Sequence, residues 1–275
     1  MSDFRDIRLI VADLDGTLLD EHKELDAGIF EVIRKLQERH IMFTLASGRN
    51  VHIMKPYLKQ LSLRLPFIAN NGANMFKEEA CIYEKSMEPK ELEFVFQVLE
   101  KQNIPCIAYT RDIVFTTSLQ DTRLQLFLER LRGKTMIQQA AGREDMLGHA
   151  IFKVVVIAKD PDMMEPILHR INLHCKALHA VRSEDDVYTI THVDATKGKT
   201  LIRLMEELHV SAKQTLVFGD NFNDATMFAA AGISVCMENG QQRVKEKADY
   251  IAKANTAQGV SRFLKEHILS DIEGR

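Results

Sequence analysis

A short apolar run near the start of the chain ends abruptly in two aspartates and a glycine. Five of the six residues in Ile7–Ala12 are hydrophobic, which predicts a strand buried on both faces of a parallel sheet. Asp13, Asp15 and Gly16 follow it. A polar Asp-Gly turn would explain these residues taken alone. Paired carboxylates beyond a strand end can also share a hard cation and keep separate chemical roles.

Length, composition and charge favour a soluble protein with more than one compact unit. The chain has 275 residues, of which 45% are hydrophobic and 27% are charged, so it can bury a core beneath an ordinary polar surface. The net charge of −3 argues against a nucleic-acid partner, which usually needs a basic excess. No apolar stretch approaches the roughly 18 residues of a membrane span. We therefore expect a cytoplasmic protein with no nucleic-acid or membrane partner, as a monomer or weak homodimer.

Strand-like and helix-like segments alternate through the first part of the chain. Two further strand-like segments, 41–46 and 66–69, are separated from the first strand and from each other by segments of helical spacing. This alternation predicts a parallel sheet with right-handed crossovers, in which ligands collect at the carboxyl ends of the strands. The new strands end in Ser47-Gly48 and in Asn70–Ala73. Small polar residues are therefore expected at one edge of the sheet.

The pattern changes after a hairpin-like segment at 74–83 and returns near Lys197. Between them, helices alternate with pairs of strands, which predicts a separate α+β module with an irregular stretch at 133–149. The expected fold class is α/β, a Rossmann-like parallel-sheet core with an inserted α+β domain. The expected boundaries are 1–83 and 186–275 for the core and 84–185 for the insertion. The final segment, Ile272–Arg275, is similar to an engineered protease site and is left out of this prediction.

Further polar groups fall at predicted strand or helix ends, and together they suit a phosphoryl group. Lys197 begins a helix, and Asp220 follows a buried strand. Each alone could be a solvated helix start or a polar turn. Jointly, Asp13 and Asp220 offer two carboxylates to one Mg²⁺, while Ser47, backbone N–H groups and Lys197 could neutralise phosphoryl oxygens. A carboxylate beside Mg²⁺ can attack phosphorus, and a second one can serve the leaving group.

The chain resembles the haloacid dehalogenase superfamily of phosphohydrolases over essentially its whole length. The closest pattern is that of the Cof-type members, which carry a large α+β cap of type C2B. The resemblance rests on four motifs and on a further Asn-Gly-Ala segment: Asp13–Leu19, Leu45–Arg49, Thr196–Gly198, Gly219–Asp224 and Asn70–Ala73. The first and fourth motifs are specific in order and distance, whereas the second and third are weak by themselves.

The resemblance implies a role for each matching residue. Asp13 would be the nucleophile, forming an aspartyl-phosphate, and a Mg²⁺ ligand. Asp15 would protonate the leaving oxygen and then deprotonate the attacking water, while its backbone carbonyl binds Mg²⁺. The other implied roles are phosphate binding by Leu14, Ser47, Gly48, Lys197 and Asn223, and a place in the Mg²⁺ site for Asp220 and Asp224. Arg49 and Asn71 line the same edge without an assigned role, and His192 is expected to be an ordinary exposed histidine.

The expected function is that of a Mg²⁺-dependent phosphomonoesterase. Its substrates would be small phosphorylated metabolites, such as sugar phosphates or phosphorylated cofactors, selected by the insertion. One alternative is a phosphomutase, but the sequence shows no obvious basic cluster for a second phosphate. Another is a non-catalytic protein that binds phosphorylated metabolites, which predicts the loss of a catalytic aspartate. Asp13 and Asp15 are both present.

Overall fold

The computed structural model describes residues 4–270, so the expectation for Ile272–Arg275 lies outside the described residues. The chain divides into two compact units. The first, called the core unit below, comprises Met1–Glu84 and Thr196–Arg275 as far as they are described, and the second, the inserted unit, is Lys85–Ala195. None of the helices within 4–270 is both long and apolar enough to cross a membrane.

The first segment of the core unit alternates strands and helices before it ends in a hairpin. Its elements are β1 (Leu9–Ala12), α1 (Ile29–Glu38), β2 (Met42–Leu45), α2 (Val51–Gln60), β3 (Phe67–Ala69), β4 (Asn74–Lys77) and β5 (Ala80–Glu84). Each residue of β1 is buried, and alternate residues pack into two different apolar clusters, Ile10 into one and Leu9 into the other. The expected strand with two buried faces is confirmed.

The inserted unit contains a six-stranded sheet with the strand order β10-β11-β9-β6-β7-β8. Its elements are α3 (Pro89–Lys101), β6 (Cys106–Tyr109), β7 (Ile113–Thr116), α4 (Thr122–Leu131), β8 (Met136–Gln139), α5 (Arg143–Leu147), β9 (Lys153–Ile157), α6 (Pro161–His174), β10 (Leu178–Glu184) and β11 (Val187–His192). Neighbouring strands are antiparallel except β7 and β8, which are parallel.

Two expectations for this region differ from the structure. The stretch 133–149 is not irregular, because it contains β8 and α5. The edge strand β8 has mostly exposed residues, so its sequence lacks the apolar alternation that would reveal a strand. The junction expected at 185/186 lies instead at 195/196, because β11 pairs with β9 and β10 and so belongs to the inserted sheet.

The chain then returns to the core unit and completes its main sheet. The returning elements are α7 (Lys197–Glu207), β12 (Thr215–Gly219), α8 (Ala225–Phe228), β13 (Ile233–Met237), α9 (Gln242–Lys245), β14 (Tyr250–Ala252) and α10 (Gly259–Leu264). Five parallel strands form the order β14-β13-β12-β1-β2. The expected parallel-sheet core with an inserted α+β unit is thereby confirmed.

The strand order decides which side chains can meet. Since β1 lies between β2 and β12, the residues that follow these three strands share one edge of the sheet. The third expected strand, β3, touches the end of β2 through a single parallel bridge between Ala46 and Ile68. It then forms a separate antiparallel sheet with β4 and β5. Residues after β3 are nevertheless brought to the same edge.

Candidate active site

A buried lysine joins two carboxylates from distant parts of the core unit. Lys197 Nζ lies 2.6 Å from Asp13 Oδ1 and 2.6 Å from Asp224 Oδ1. Asp13 follows β1, Lys197 opens α7, and Asp224 precedes α8. The side chains of Lys197 and Asp224 are fully buried. The reading of Lys197 as a solvated helix start is therefore wrong, since its ammonium group is sequestered between two carboxylates.

Local structure around the start of α7 explains how Lys197 reaches this position. Thr196 caps the helix, and its side chain accepts a hydrogen bond from Lys199 N at 3.2 Å, which is typical of helix N-termini. Gly198 N donates to Thr226 Oγ1 at 3.0 Å. A Cβ at Gly198 would overlap the Thr226 carbonyl, so only glycine allows α7 to approach the start of α8 this closely. The close approach sets Lys197 beside Asp224.

A third carboxylate, that of Asp220, lies beside this pair. The carboxylate oxygens offered by Asp13, Asp220 and Asp224 are all within 4.8 Å of one another. Asp220 Oδ1 accepts a hydrogen bond from Thr17 Oγ1 at 3.0 Å. Asp224 Oδ2 accepts from the backbone N–H groups of Asp220 and Asn221 at 3.0 and 3.1 Å. Asp224 thus stabilises the turn that contains Asp220.

Burial, with a smaller contribution from neighbouring negative charge, raises the pKa values of two of these groups. Burial raises the pKa of Asp13 to about 8; Lys197 opposes this rise, while the charges of Asp224 and Asp220 add to it. Burial and the charge of Asp224 raise the pKa of Asp220 to about 6. The pKa of Lys197 is also raised, because the attraction of Asp13 and Asp224 outweighs its burial. One ammonium group does not neutralise three carboxylates, so the cluster favours an additional cation.

The donor set fits Mg²⁺, which prefers hard oxygen ligands. Gly16 has a φ of +78°, and a Cβ at that position would overlap the carboxylate of Asp220. The turn after β1 therefore leaves space at Asp220 that any other residue would fill. Both oxygens of Asp224 already accept hydrogen bonds. Asp13 and Asp220 would therefore be the better direct ligands of a bound Mg²⁺, and Asp224 would act through Lys197 and the turn.

Asp15 lies outside this group of three and pairs with two cations. Arg49 Nε and Nη2 donate to its two carboxylate oxygens, both at 2.6 Å, and Lys23 Nζ donates to Oδ1 at 2.9 Å. The Asp15 side chain is 40% exposed. Partial burial acts to raise the pKa of Asp15, but the hydrogen bonds from Arg49 and Lys23 outweigh it and hold the pKa below its usual value. Asp15 is ionised in this arrangement.

Tyr57 extends the contacts of Arg49 and Lys23. Arg49 Nη1 donates to Tyr57 Oη at 3.2 Å, and the hydroxyl of Tyr57 donates to Lys23 O at 3.3 Å. The guanidinium carbon of Arg49 also lies 5.3 Å from the centre of the Tyr57 ring, within the range of a cation–π contact. Sequence reasoning assigned no role to Arg49 and did not single out Lys23 or Tyr57. These contacts join a loop, a strand end and a helix, which no local spacing predicts.

The expected phosphate-binding residues of the second and fourth motifs lie around Asn71. Ser47 is almost fully buried, and its Oγ accepts from Arg49 N at 3.2 Å. A Cβ placed on Gly48 would lie 2.7 Å from Asn71 Oδ1, and the same oxygen accepts a hydrogen bond from Asn223 Nδ2 at 2.9 Å. Asn71 therefore links the turn after β2 to the turn after β12.

Leu14, one of the expected phosphate-binding residues, belongs to the first motif. Leu14 is buried between Asp13 and Asp15, and its carbonyl accepts hydrogen bonds from the next turn of chain, including Leu18 N at 3.0 Å.

His192, expected to be exposed, belongs to the inserted unit and is only 5% exposed, so that expectation is wrong. Burial and the charge of Lys85 lower the pKa of His192. Residues of β11 are alternately buried, and His192 occupies one of the buried positions.

Comparison with known proteins gives one consistent result. Residues 10–264 match the family model described as haloacid dehalogenase-like hydrolase. The chain is 26% identical over 279 residues to pyridoxal phosphate phosphatase YbhA of Escherichia coli (strain K12), covering 95% of this chain and 99% of that protein. It is 24% identical over 265 residues to 5-amino-6-(5-phospho-D-ribitylamino)uracil phosphatase YcsE of Bacillus subtilis (strain 168), covering 96% and 97%. A haloacid dehalogenase-like hydrolase from Bacteroides thetaiotaomicron has the same fold, with a TM-score of 0.82 and 24% identity over 94% of this chain and 99% of that one.

Proposed function

The chain belongs to the haloacid dehalogenase-like hydrolase family, as its motifs predicted, and from that premise we propose that it is a Mg²⁺-dependent phosphomonoesterase. The observation that carries this proposal is the buried Asp13–Lys197–Asp224 cluster, with both lysine contacts at 2.6 Å. Burying a lysine between carboxylates is costly unless the groups are paired. Such an arrangement suits a nucleophilic carboxylate that must stay oriented while charge moves at phosphorus.

Asp13 is the proposed nucleophile. Its Oδ1 is held by Lys197, and within the described residues no donor bonds to its Oδ2, which leaves that oxygen for attack. The carboxylate forms a bond to phosphorus as the bond from phosphorus to the leaving oxygen breaks, giving an aspartyl-phosphate. Water then attacks phosphorus, and the bond to Asp13 breaks to release inorganic phosphate.

Asp15 is the proposed proton carrier of both steps. It would donate a proton to the leaving oxygen in the first step and accept one from the attacking water in the second. Its ionised state, held by Arg49 and Lys23, suits the second role directly. For the first role these cations have to release the carboxylate, so we expect Arg49 and Lys23 to change partners when an anionic substrate enters.

The remaining residues orient the phosphoryl group and the metal. Ser47, Lys197, Asn223 and the backbone N–H groups of Leu14 and Gly48 are the proposed donors to phosphoryl oxygens. Asp13 and Asp220 would hold Mg²⁺, with the backbone carbonyl of Asp15, while Asp224 fixes Lys197 and the Asp220 turn. Bound Mg²⁺ would offset the negative charge of the phosphoryl group and favour ionised Asp13.

The proposed substrates are small phosphorylated metabolites, either sugar phosphates or phosphorylated cofactors. The names of the two relatives support this class, because one is a pyridoxal phosphate phosphatase and the other acts on a phosphorylated ribitylaminouracil. Identities of 26% and 24% are too low to assign the substrate of either relative to this chain. A panel therefore has to include both compounds and a range of sugar phosphates.

The test is phosphate release from that panel and from p-nitrophenyl phosphate, with and without Mg²⁺. We expect Mg²⁺-dependent turnover by the wild type, and Asp13→Asn should reduce it by at least about 10⁴-fold with weakened Mg²⁺ binding. Asp15→Asn should lose about 10²–10⁴-fold in rate while keeping the fold and the metal affinity. Full hydrolysis of p-nitrophenyl phosphate by Asp13→Asn would contradict the mechanism. Tight binding of one ligand without turnover would favour a binding protein instead.

A further inference from the structure

The segment that follows β13 contacts the loops on both sides of the proposed metal site. Gln241 N donates to Asp220 O at 2.9 Å, so this segment fixes the backbone of the turn after β12. Two residues earlier, the side chain of Asn239 donates from Nδ2 to Gly16 O at 2.8 Å, in the turn after β1. The same short segment therefore anchors the two loops that present Asp13 and Asp220.

A second asparagine supports the first. Asn239 Oδ1 accepts a hydrogen bond from Asn255 N at 3.0 Å, and Asn255 Nδ2 donates to Leu19 O at 2.7 Å. Asn239 is exposed, yet its side chain uses both its donor and its acceptor on backbone groups. The two asparagines thus hold the turn Gly16–Leu19 at its beginning and at its end.

The turn held in this way carries a direct contact to Asp220. Thr17 is 1% exposed, and its hydroxyl donates to Asp220 Oδ1 at 3.0 Å. Gly16 lies so close to the Asp220 carboxylate that a Cβ would overlap it. A shift of the turn would therefore move the Thr17 hydroxyl and open or close the space beside Asp220.

We infer that Asn239 is a positioning residue for the metal site: it holds the Gly16–Leu19 turn so that Thr17 orients the Asp220 carboxylate for a divalent cation. Asn255 stabilises Asn239 in that position. This inference rests on the proposed Mg²⁺ site. Groups that orient metal ligands through hydrogen bonds typically change metal affinity or activity about 10–100-fold when they are removed, so Asn239 should have a measurable effect without touching the metal.

The experiment is isothermal titration calorimetry of the full-length protein with Mg²⁺. Asn239→Ala should weaken Mg²⁺ binding about tenfold, while the melting temperature of the metal-free protein falls by no more than about 3 °C. Glu238→Gln, at an exposed neighbouring position on the same segment, is the matched control and should bind Mg²⁺ as the wild type does. At saturating Mg²⁺, Asn239→Ala should recover most of its kcat.

A double variant separates positioning from a general loss of structure. Thr17→Val should also weaken Mg²⁺ binding, and Asn239→Ala combined with Thr17→Val should lose no more affinity than the larger single loss, because both act through one contact. Unchanged Mg²⁺ affinity in Asn239→Ala, or additive losses in the double variant, would overturn the inference. If the wild type itself binds no Mg²⁺, the proposed metal site fails first.

Asn255→Ala gives an independent test if Asn239→Ala does not fold. That variant removes only the hydrogen bond to Leu19 O and keeps the backbone donor to Asn239. It should weaken Mg²⁺ binding by a smaller factor, about threefold, with an unchanged circular dichroism spectrum. An affinity equal to that of the wild type in Asn255→Ala would show that the turn does not need this support, and would contradict the inference.

Discussion

Asp13 and Asp15 are separated by one residue, yet their surroundings are opposite. Asp13 is buried beside Lys197 and two other carboxylates, and its pKa is raised to about 8. Asp15 is 40% exposed, receives hydrogen bonds from Arg49 and Lys23, and has a lowered pKa. The turn at Gly16 directs the two side chains into different neighbourhoods. Residue type therefore does not decide the charge state of either carboxylate; the surroundings do.

The two neighbourhoods also differ in their balance of charge. Around Asp13, three carboxylates share one lysine, so the buried side lacks positive charge. Around Asp15, two cations meet one carboxylate, so the open side has positive charge in excess. This asymmetry supports a site that takes a metal cation beside Asp13 and attracts an anionic substrate through Arg49 and Lys23.

The largest difference between the two neighbourhoods is expected when the lysine is removed from each in turn. Lys197→Met would leave the carboxylates of Asp13 and Asp224 buried and unpaired, and should lower the free energy of unfolding by about 3–5 kcal/mol. Lys23→Met removes a half-exposed partner of Asp15 and should cost about 0–1 kcal/mol. Urea unfolding of the metal-free proteins measures both. Equal losses of unfolding free energy in the two variants would contradict the difference in burial between the two clusters.

An effect of intermediate size is expected from pH on the stability of the protein and on its stabilisation by Mg²⁺. Asp13 and Asp220 have pKa values of about 8 and about 6 in the native state, against 3.8 when unperturbed. At a pH between the unperturbed pKa and the raised native pKa of each group, the native protein keeps a proton that the unfolded chain has released. The stability of the metal-free protein therefore falls as the pH rises from about 4 to 8. Mg²⁺ competes with those protons, and the rise in melting temperature that it causes should be larger at pH 8 than at pH 6 by roughly 2–6 °C.

Thermal unfolding at the two pH values, with and without saturating Mg²⁺, gives the measurement. Asp13→Asn is the control for the pH effect, because its amide does not titrate in this range. We expect that variant to lose most of the pH dependence. A Mg²⁺ effect that is equal at pH 6 and pH 8 would mean that the metal does not compete with protons at Asp13 and Asp220.

The smallest expected effect concerns the proton on Asp15. Lys23→Met removes one of the groups that lower the pKa of Asp15, so that pKa should rise. A proton donor is active below its pKa, and the limb of the kcat/KM profile that reports Asp15 should therefore move to higher pH. The change in kcat/KM should stay within about fivefold, since exposed ion pairs contribute about 0–1 kcal/mol. A limb that moves to lower pH would exclude Asp15 as the donor.

Much of the core unit could be predicted because its signals are local. The apolar strands and the polar residues directly after them are contiguous in sequence, and a parallel sheet brings such ends to one edge. Strand ends indicated Asp13 and Asp220, a predicted helix start indicated Lys197, and the family resemblance added Asp224; the structure brings these four residues together. The edge strand β8 was missed because its exposed residues carry no apolar pattern.

The contacts that were not predicted join residues with no common spacing. Lys23 and Tyr57 reach Asp15 and Arg49 only through the folding of a loop and a helix onto the strand ends. Asn239 is linked to Gly16 by a hydrogen bond across 223 residues of sequence. The burial of His192 depends on which face of β11 points inward. The contacts of Lys23, Tyr57 and Asn239 leave no periodic pattern in the chain, whereas the burial of His192 follows the two-residue alternation of β11.

The strand order has a consequence for the protein as it leaves the ribosome. β1 pairs on one side with β2, which is made soon afterwards, and on the other with β12, which lies beyond the insertion. At typical rates of synthesis, about 10–40 s pass before the roughly 200 intervening residues are made. During that time one hydrogen-bonding edge of an apolar strand lacks its native partner, and such edges recruit other chains. The growing chain is therefore most in need of chaperone protection between the synthesis of β2 and that of β12.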